Sequence, residues 1–151
     1  MTIWPVAVLR DPSTPLVPYL AAAFVAATGP ALLISLSLPI FFSEDQLQAV
    51  TSHVFSNGSL QPVSVLTLIL FIPIVETFLM VVLFGLLRSW KLSVLHQSVA
   101  QAAVWGSFHG SIALPWALPT AWLFFVFSVV YTTRLNNGGA EAFAVTSAVH
   151  G

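Results

Sequence analysis

The sequence predicts an all-α fold, a polytopic transmembrane bundle of about five helices, the last one incomplete. Two compositional facts and one pattern lead there. Of 151 residues, 58% are hydrophobic and only 6% are charged, against about 25% in an average soluble domain, which leaves too few charges to coat a water-soluble globule. The apolar residues are gathered into stretches near the roughly 20 residues that a helix needs to cross the bilayer core. The same composition excludes an ordinary soluble enzyme and a disordered tail. A net charge of −1 without a basic patch excludes a nucleic-acid partner. With no cysteine there is no disulfide framework, no thiolate zinc site and no cysteine nucleophile.

Residues 1–14 mix proline with polar residues and lack a small-residue cleavage site after a charged start, so no signal peptide is read there. A first span runs from about Pro15 to Phe42, with Gly29-Pro30 as a kink. Ser43 to Pro62 is the one long polar loop, and Ser43-Glu44-Asp45-Gln46 reads as the start of a short interfacial helix. His53 belongs to that loop. The second span, Val63 to Leu87, carries Pro73 and Glu76 and ends in the interfacial cluster Arg88, Trp90 and Lys91. A third, about Ser93 to Leu114, carries His96, Gln97, Gln101 and His109. Pro115 to Pro119 forms a tight turn into a fourth span, about Thr120 to Leu135, and Asn136-Asn137-Gly138-Gly139 is a turn. Ala140 to Gly151 begins a fifth apolar helix. Residues 1–62 read as an N-terminal segment with one span and an external loop, and 63–151 as the core.

If the spans alternate, Arg10, Arg88, Lys91 and Arg134 all fall on one face of the membrane, with Glu44 and Asp45 on the other. Basic residues stay in cytoplasmic loops, so the N-terminus is expected in the cytoplasm. Arg134 reads as an interfacial anchor.

Glu76 is the charge this scheme leaves over. A carboxylate near the bilayer centre costs about 2.5–3.5 kcal/mol on insertion scales, and Arg88 is three turns away. Glu76 must therefore be protonated or face a polar cavity inside the bundle, either as a functional group or as a structural hydrogen bond between helices. His109, in AAVWGSFHGSIAL, and His150, in AFAVTSAVHG, lie on two further apolar spans. One Glu and two His are the atoms of a site that holds a divalent metal such as zinc or polarises a water. Gly106, Ser107 and Gly110 around His109, and Ser147, Ala148 and Gly151 around His150, are small enough to let helices approach closely, which is expected to bring both imidazoles toward the Glu76 helix. Gln97 and Gln101 either line the same cavity or bond a neighbouring helix. Thr146 and Ser147 are placed to bond backbone carbonyls.

Three segments in order resemble the CAAX protease and bacteriocin-processing (CPBP) family of intramembrane proteases, whose pattern is EExxxR, then FxxxH, then HxxxN. PIVETFLMVVLFG resembles the first motif with Glu-Thr for Glu-Glu, WGSFH the second with Trp for Phe, and AVTSAVHG the start of the third. The YTTRLNNGGAEAF lead-in is similar as well. The resemblance covers Val63 to Gly151. Thr77 stands at the second acidic position and Val81 at the position usually Arg; the Asn of the third motif would fall at position 154, beyond this sequence, so the chain reads as a divergent and C-terminally short member.

The resemblance implies an intramembrane endopeptidase of metallo- or glutamate type. Glu76 would be the general base, His109 its partner in holding water or a metal, and His150 the group that polarises or holds the oxyanion. It implies membrane-associated, prenylated or small peptide substrates, membrane lipids as surroundings, and a bacterial inner membrane as location. The changed residues leave open a catalytically silent binding or bacteriocin-immunity protein on the same fold. A less favoured alternative is a bundle using His109 and His150 as haem or metal ligands, which leaves Glu76 without a role.

Overall fold

The computed structural model describes residues 6–55 and 67–151, and among these every regular element is helical. A single turn, α1 (Val6–Leu9), precedes α2 (Leu16–Phe41). The latter matches the first predicted span and runs unbroken through Gly29-Pro30 and Pro39. α3 (Glu44–Phe55) forms where the sequence placed a short helix, with Glu44 and Asp45 in its first turn, where carboxylates favour the positive end of the helix dipole. His53 lies in this helix rather than in a loop. The start of the second span at Val63, and the boundary between residues 62 and 63, lie outside the described residues.

A π-helical turn, Thr67–Phe71, leads into α4 (Ile72–Ser89). Pro73 has no N–H to give the carbonyl four residues back, which accounts for the widened turn before it. The backbone leaves α4 through Lys91 at φ 55°, whose N–H bonds the Arg88 carbonyl at 3.0 Å. α5 (Val94–Ile112) follows, capped by the Ser93 hydroxyl. A 3₁₀ turn over Leu114–Trp116 then feeds α6 (Ala117–Arg134). At the last turn Gly138 takes φ +131°, a backbone that only glycine adopts freely, and α7 (Gly139–His150) begins.

Among the described residues, three stretches are long and apolar enough to cross a membrane: α2, α4 and Leu114–Asn137, which contains α6. The third predicted span, α5, has the predicted length but is not one of these three. Its Gln97, Ser98 and Gln101 lower its hydropathy, and all three are buried against other helices. Gln101 donates to the Met80 carbonyl of α4 at 2.7 Å and accepts from Trp105 Nε1 at 3.2 Å, so it bonds a neighbouring helix as one of the two expectations had it; Gln97 instead donates to the Leu92 carbonyl just before its own helix. Large side chains such as Phe24, Leu33, Leu36 and Ile40 on α2 are exposed, as a lipid-facing surface requires.

The core gathers on α6, where Phe124, Phe127 and Val130 are fully buried. On one side α2 lies against it through the small residues Ala23 and Ala27, fixed by Trp122 Nε1 bonding the Ala26 carbonyl at 2.9 Å. On the other, α5 comes close: a Cβ on Gly106 would stand 2.8 Å from the Ala117 carbonyl oxygen and from Ala121 Cβ, and one on Gly110 would stand 2.8 Å from Ala117 Cβ. The glycines therefore close α5 onto α6, not onto the Glu76 helix as the small-residue pattern led us to expect. Gly106→Leu should destabilise the bundle by about 1–3 kcal/mol through overpacking, read as a lowered thermal midpoint in detergent. Gly85→Ala, whose Cβ would meet nothing within 4 Å, serves as the control and should move it little.

Arg134, expected as an interfacial anchor, is also a buried hydrogen-bonding centre. Its residue is 3% exposed, and its guanidinium donates to the Pro12 and Thr14 carbonyls at 3.3 and 2.8 Å, pairs with Glu141 at 3.2 Å, and lies 3.7 Å over the Tyr19 ring. These contacts bring the start of α2, the end of α6 and the start of α7 to one end of the bundle. Hydrogen bonds from the Ser13 N–H and hydroxyl hold the Asp11 carboxyl below its ordinary range at that same end.

Candidate functional site

Because the helices alternate in direction, residues at similar distances from the basic end come level. Glu76 is about 18 Å along α4 from Arg88, His109 about 22 Å along α5 from Val94, and His150 about 16 Å along α7 from Gly139, at roughly 1.5 Å per residue. All three therefore lie at a similar level, remote from the basic end. They also meet. His109 Nε2 lies 3.4 Å from Glu76 Oε1, and His150 Nε2 lies 2.9 Å from Glu76 Oε2. One carboxylate thus sits between two imidazoles from two other helices, and its side chain keeps 18% of its surface exposed.

The other ring nitrogens constrain where protons lie. His109 Nδ1 is 3.0 Å from the Trp105 carbonyl, which can only accept, so Nδ1 carries a hydrogen. Nε2 then faces a carboxylate oxygen either as the donor of an imidazolium or as a lone pair meeting a protonated Glu76, so a proton lies between them. For His150 a neutral ring suffices: Nε2–H donates to Glu76, and Nδ1 meets the Thr77 hydroxyl at 3.4 Å, which can donate to it. Thr77 is fully buried beside Glu76 on α4. Thr77, the residue after Glu76, therefore contacts the second histidine.

α6 supplies an aromatic wall that sequence reading did not foresee. The His150 ring lies 4.5 Å from that of Phe127 and edge-on to Phe124 at 5.2 Å. Trp105 stacks on Phe124 at 4.4 Å and 9°, which fixes the turn whose carbonyl holds His109. These rings lower the local dielectric and strengthen the charge interactions of the three polar side chains. Only their apolar periodicity on α6 signalled them, and that pattern also describes ordinary core.

His96 is exposed and bonds Ser93 at 2.6 Å, away from the site. Thr146 bonds the Ala142 carbonyl at 2.7 Å as expected, whereas the Ser147 hydroxyl is buried with no hydrogen-bond partner among the described residues.

Comparison with protein-family models, curated proteins and solved structures finds no match. The family resemblance rests on its three motifs. The donor set of two imidazoles and one carboxylate has the chemistry of a zinc site, and an Nδ1–H held by a backbone carbonyl is how ligating histidines are commonly oriented. As arranged, however, the carboxylate oxygens contact the Nε2 atoms directly, and among the described residues no group of three such side chains is disposed to hold a metal.

Proposed function

We propose that the protein is an intramembrane endopeptidase, similar in kind to the CAAX proteases, that hydrolyses a peptide bond near or within the membrane. The observation that carries this reading is the Glu76 carboxylate held between His109 and His150 on three separate helices. In this reading Glu76 takes a proton from a water as the water oxygen attacks the peptide carbonyl. Protonation removes the negative charge that had engaged the histidine N–H groups, and they turn to the oxyanion that forms. Glu76 then returns the proton to the leaving amine as the C–N bond breaks. Thr77 positions His150 through Nδ1. The protein would lie in a bacterial inner membrane with its basic end, and its N-terminus, in the cytoplasm.

The test uses full-length protein in phospholipid vesicles with internally quenched amphipathic peptides, one set prenylated at the C-terminus. Wild type should cleave at least one; His109→Ala and His150→Ala should not. Equal cleavage by all three sinks the assignment. Thr77→Val should lower kcat by about tenfold, the effect of one lost hydrogen bond, with KM little changed, and Thr77→Ser should restore it; a purely structural Thr77 would lower stability instead. Zinc uptake at one ion per chain, abolished by His109→Ala, would make the three side chains ligands.

A second reading is favoured by the directness of the same contacts. If the carboxylate is satisfied by both imidazoles, it cross-links α4, α5 and α7, and the chain is a silent binding or immunity protein. A wild type inert on all peptides, with its thermal midpoint lowered by His150→Ala, would select that reading.

A further inference from the structure

A second polar feature lies at the other end of α4. Between α4, α5 and α6 a cleft of about 380 Å³ opens at the basic end, its wall formed in part by Phe84, Gly85 and Tyr131 and its rim by Arg88. Gly85 leaves it open, since a Cβ there would meet nothing within 4 Å. Gln97 and Thr132 add polar groups to its lining, and the Tyr131 hydroxyl makes no hydrogen bond to the described residues although its ring is mostly buried against Phe84.

Charge is unbalanced around this opening. Asp11 is engaged by Ser13, Glu141 by Arg134 and Asn137, and Glu44 and Asp45 belong to α3 after the far end of α2. Among the described residues Arg88 and Lys91 have no carboxylate partner. Trp90, 72% exposed, stands between them. A tryptophan beside basic residues at a span's end marks the headgroup level of a bilayer. Leu86 and Val94 are exposed on the flanking helices.

We infer that this cleft is a binding site for an anionic phospholipid, its phosphate on Arg88 and one acyl chain against Phe84 and Gly85. A guanidinium suits a phosphate because its forked donors meet two oxygens at once. The apolar wall suits the chain, and the opening lies where the two parts of a lipid meet. This inference stands independently of the chemistry proposed for Glu76.

The test offers the purified full-length protein equal amounts of phosphatidylglycerol and phosphatidylcholine in mild detergent and reads retained lipid by native mass spectrometry. Wild type should prefer phosphatidylglycerol roughly five-fold, the effect of about one basic residue at a membrane surface. Arg88→Gln should bring the two lipids to parity. Gly85→Leu, filling the cleft while keeping Arg88, should reduce retention of both. Equal retention of the two lipids by wild type overturns the inference, as does a preference that survives both substitutions. Displacement of phosphatidylglycerol by an equal concentration of a peptide with a free C-terminal carboxylate also overturns it, and assigns the cleft to a peptide acid.

Discussion

Glu76→Gln is expected to reduce peptide cleavage by about 10²–10⁴-fold, the range a general base contributes, while leaving the bundle folded. The substitution keeps shape and hydrogen bonding. A glutamine oxygen can still accept from His150 Nε2–H, and its amide can donate to the lone pair that His109 presents on Nε2 when its Nδ1 hydrogen stays on the Trp105 carbonyl. What is lost is the negative charge and the capacity to take a proton from water. Activity and stability therefore separate. Under the catalytic reading kcat collapses while the thermal midpoint moves little; under the cross-linking reading there is no activity to lose, and the midpoint falls only when a contact itself is removed, as in His150→Ala. Measuring both on one preparation decides between them. Glu76→Ala decides less well, because it leaves two imidazoles facing a void in a low-dielectric interior and lowers stability under either reading.

The bundle was legible because the bilayer imposes simple requirements on a sequence. α2 matches its predicted span within a residue at each end, since only a long apolar stretch satisfies hydrocarbon on its outer face. The candidate site was legible as an anomaly: an acid and two imidazoles in apolar helices demand an explanation. Sequence spacing could not say that they meet, and the contact of all three depends on α4, α5 and α7 being brought level by turns of the right length. The small residues near His109 carried correct information about close approach but none about the partner, and that partner is α6 through Ala117 and Ala121. α5 shows the converse difficulty. Hydropathy alone undervalues it, because Gln97, Ser98 and Gln101 are buried and leave the exposed face of the helix apolar.

Arg134→Gln should destabilise the protein by about 2–3 kcal/mol, within the range for stranding buried polar partners, and should loosen the N-terminal segment most. Its position at the end of a span is readable from sequence; its burial is not, because the carbonyls it bonds belong to Pro12 and Thr14 at the opposite end of the chain. Glutamine has one donor group in place of a fork and cannot reach two carbonyls and Glu141 together. Glu141 is partly exposed and can recover water, which keeps the expected loss below that of a fully buried ion pair. The Tyr19 face loses its stacked cation as well. Hydrogen exchange in detergent should show the amides around Thr14 and the first turn of α2 opening faster, while the α5–α6 contact at Gly106 stays protected. Equal acceleration across both regions would show that Arg134 supports the whole bundle and not the join between its two termini. Arg134→Lys sharpens the result: an ammonium keeps the charge for Glu141 but lacks the planar fork, so a loss close to that of Arg134→Gln assigns the effect to the two carbonyl bonds, and recovery assigns it to the ion pair.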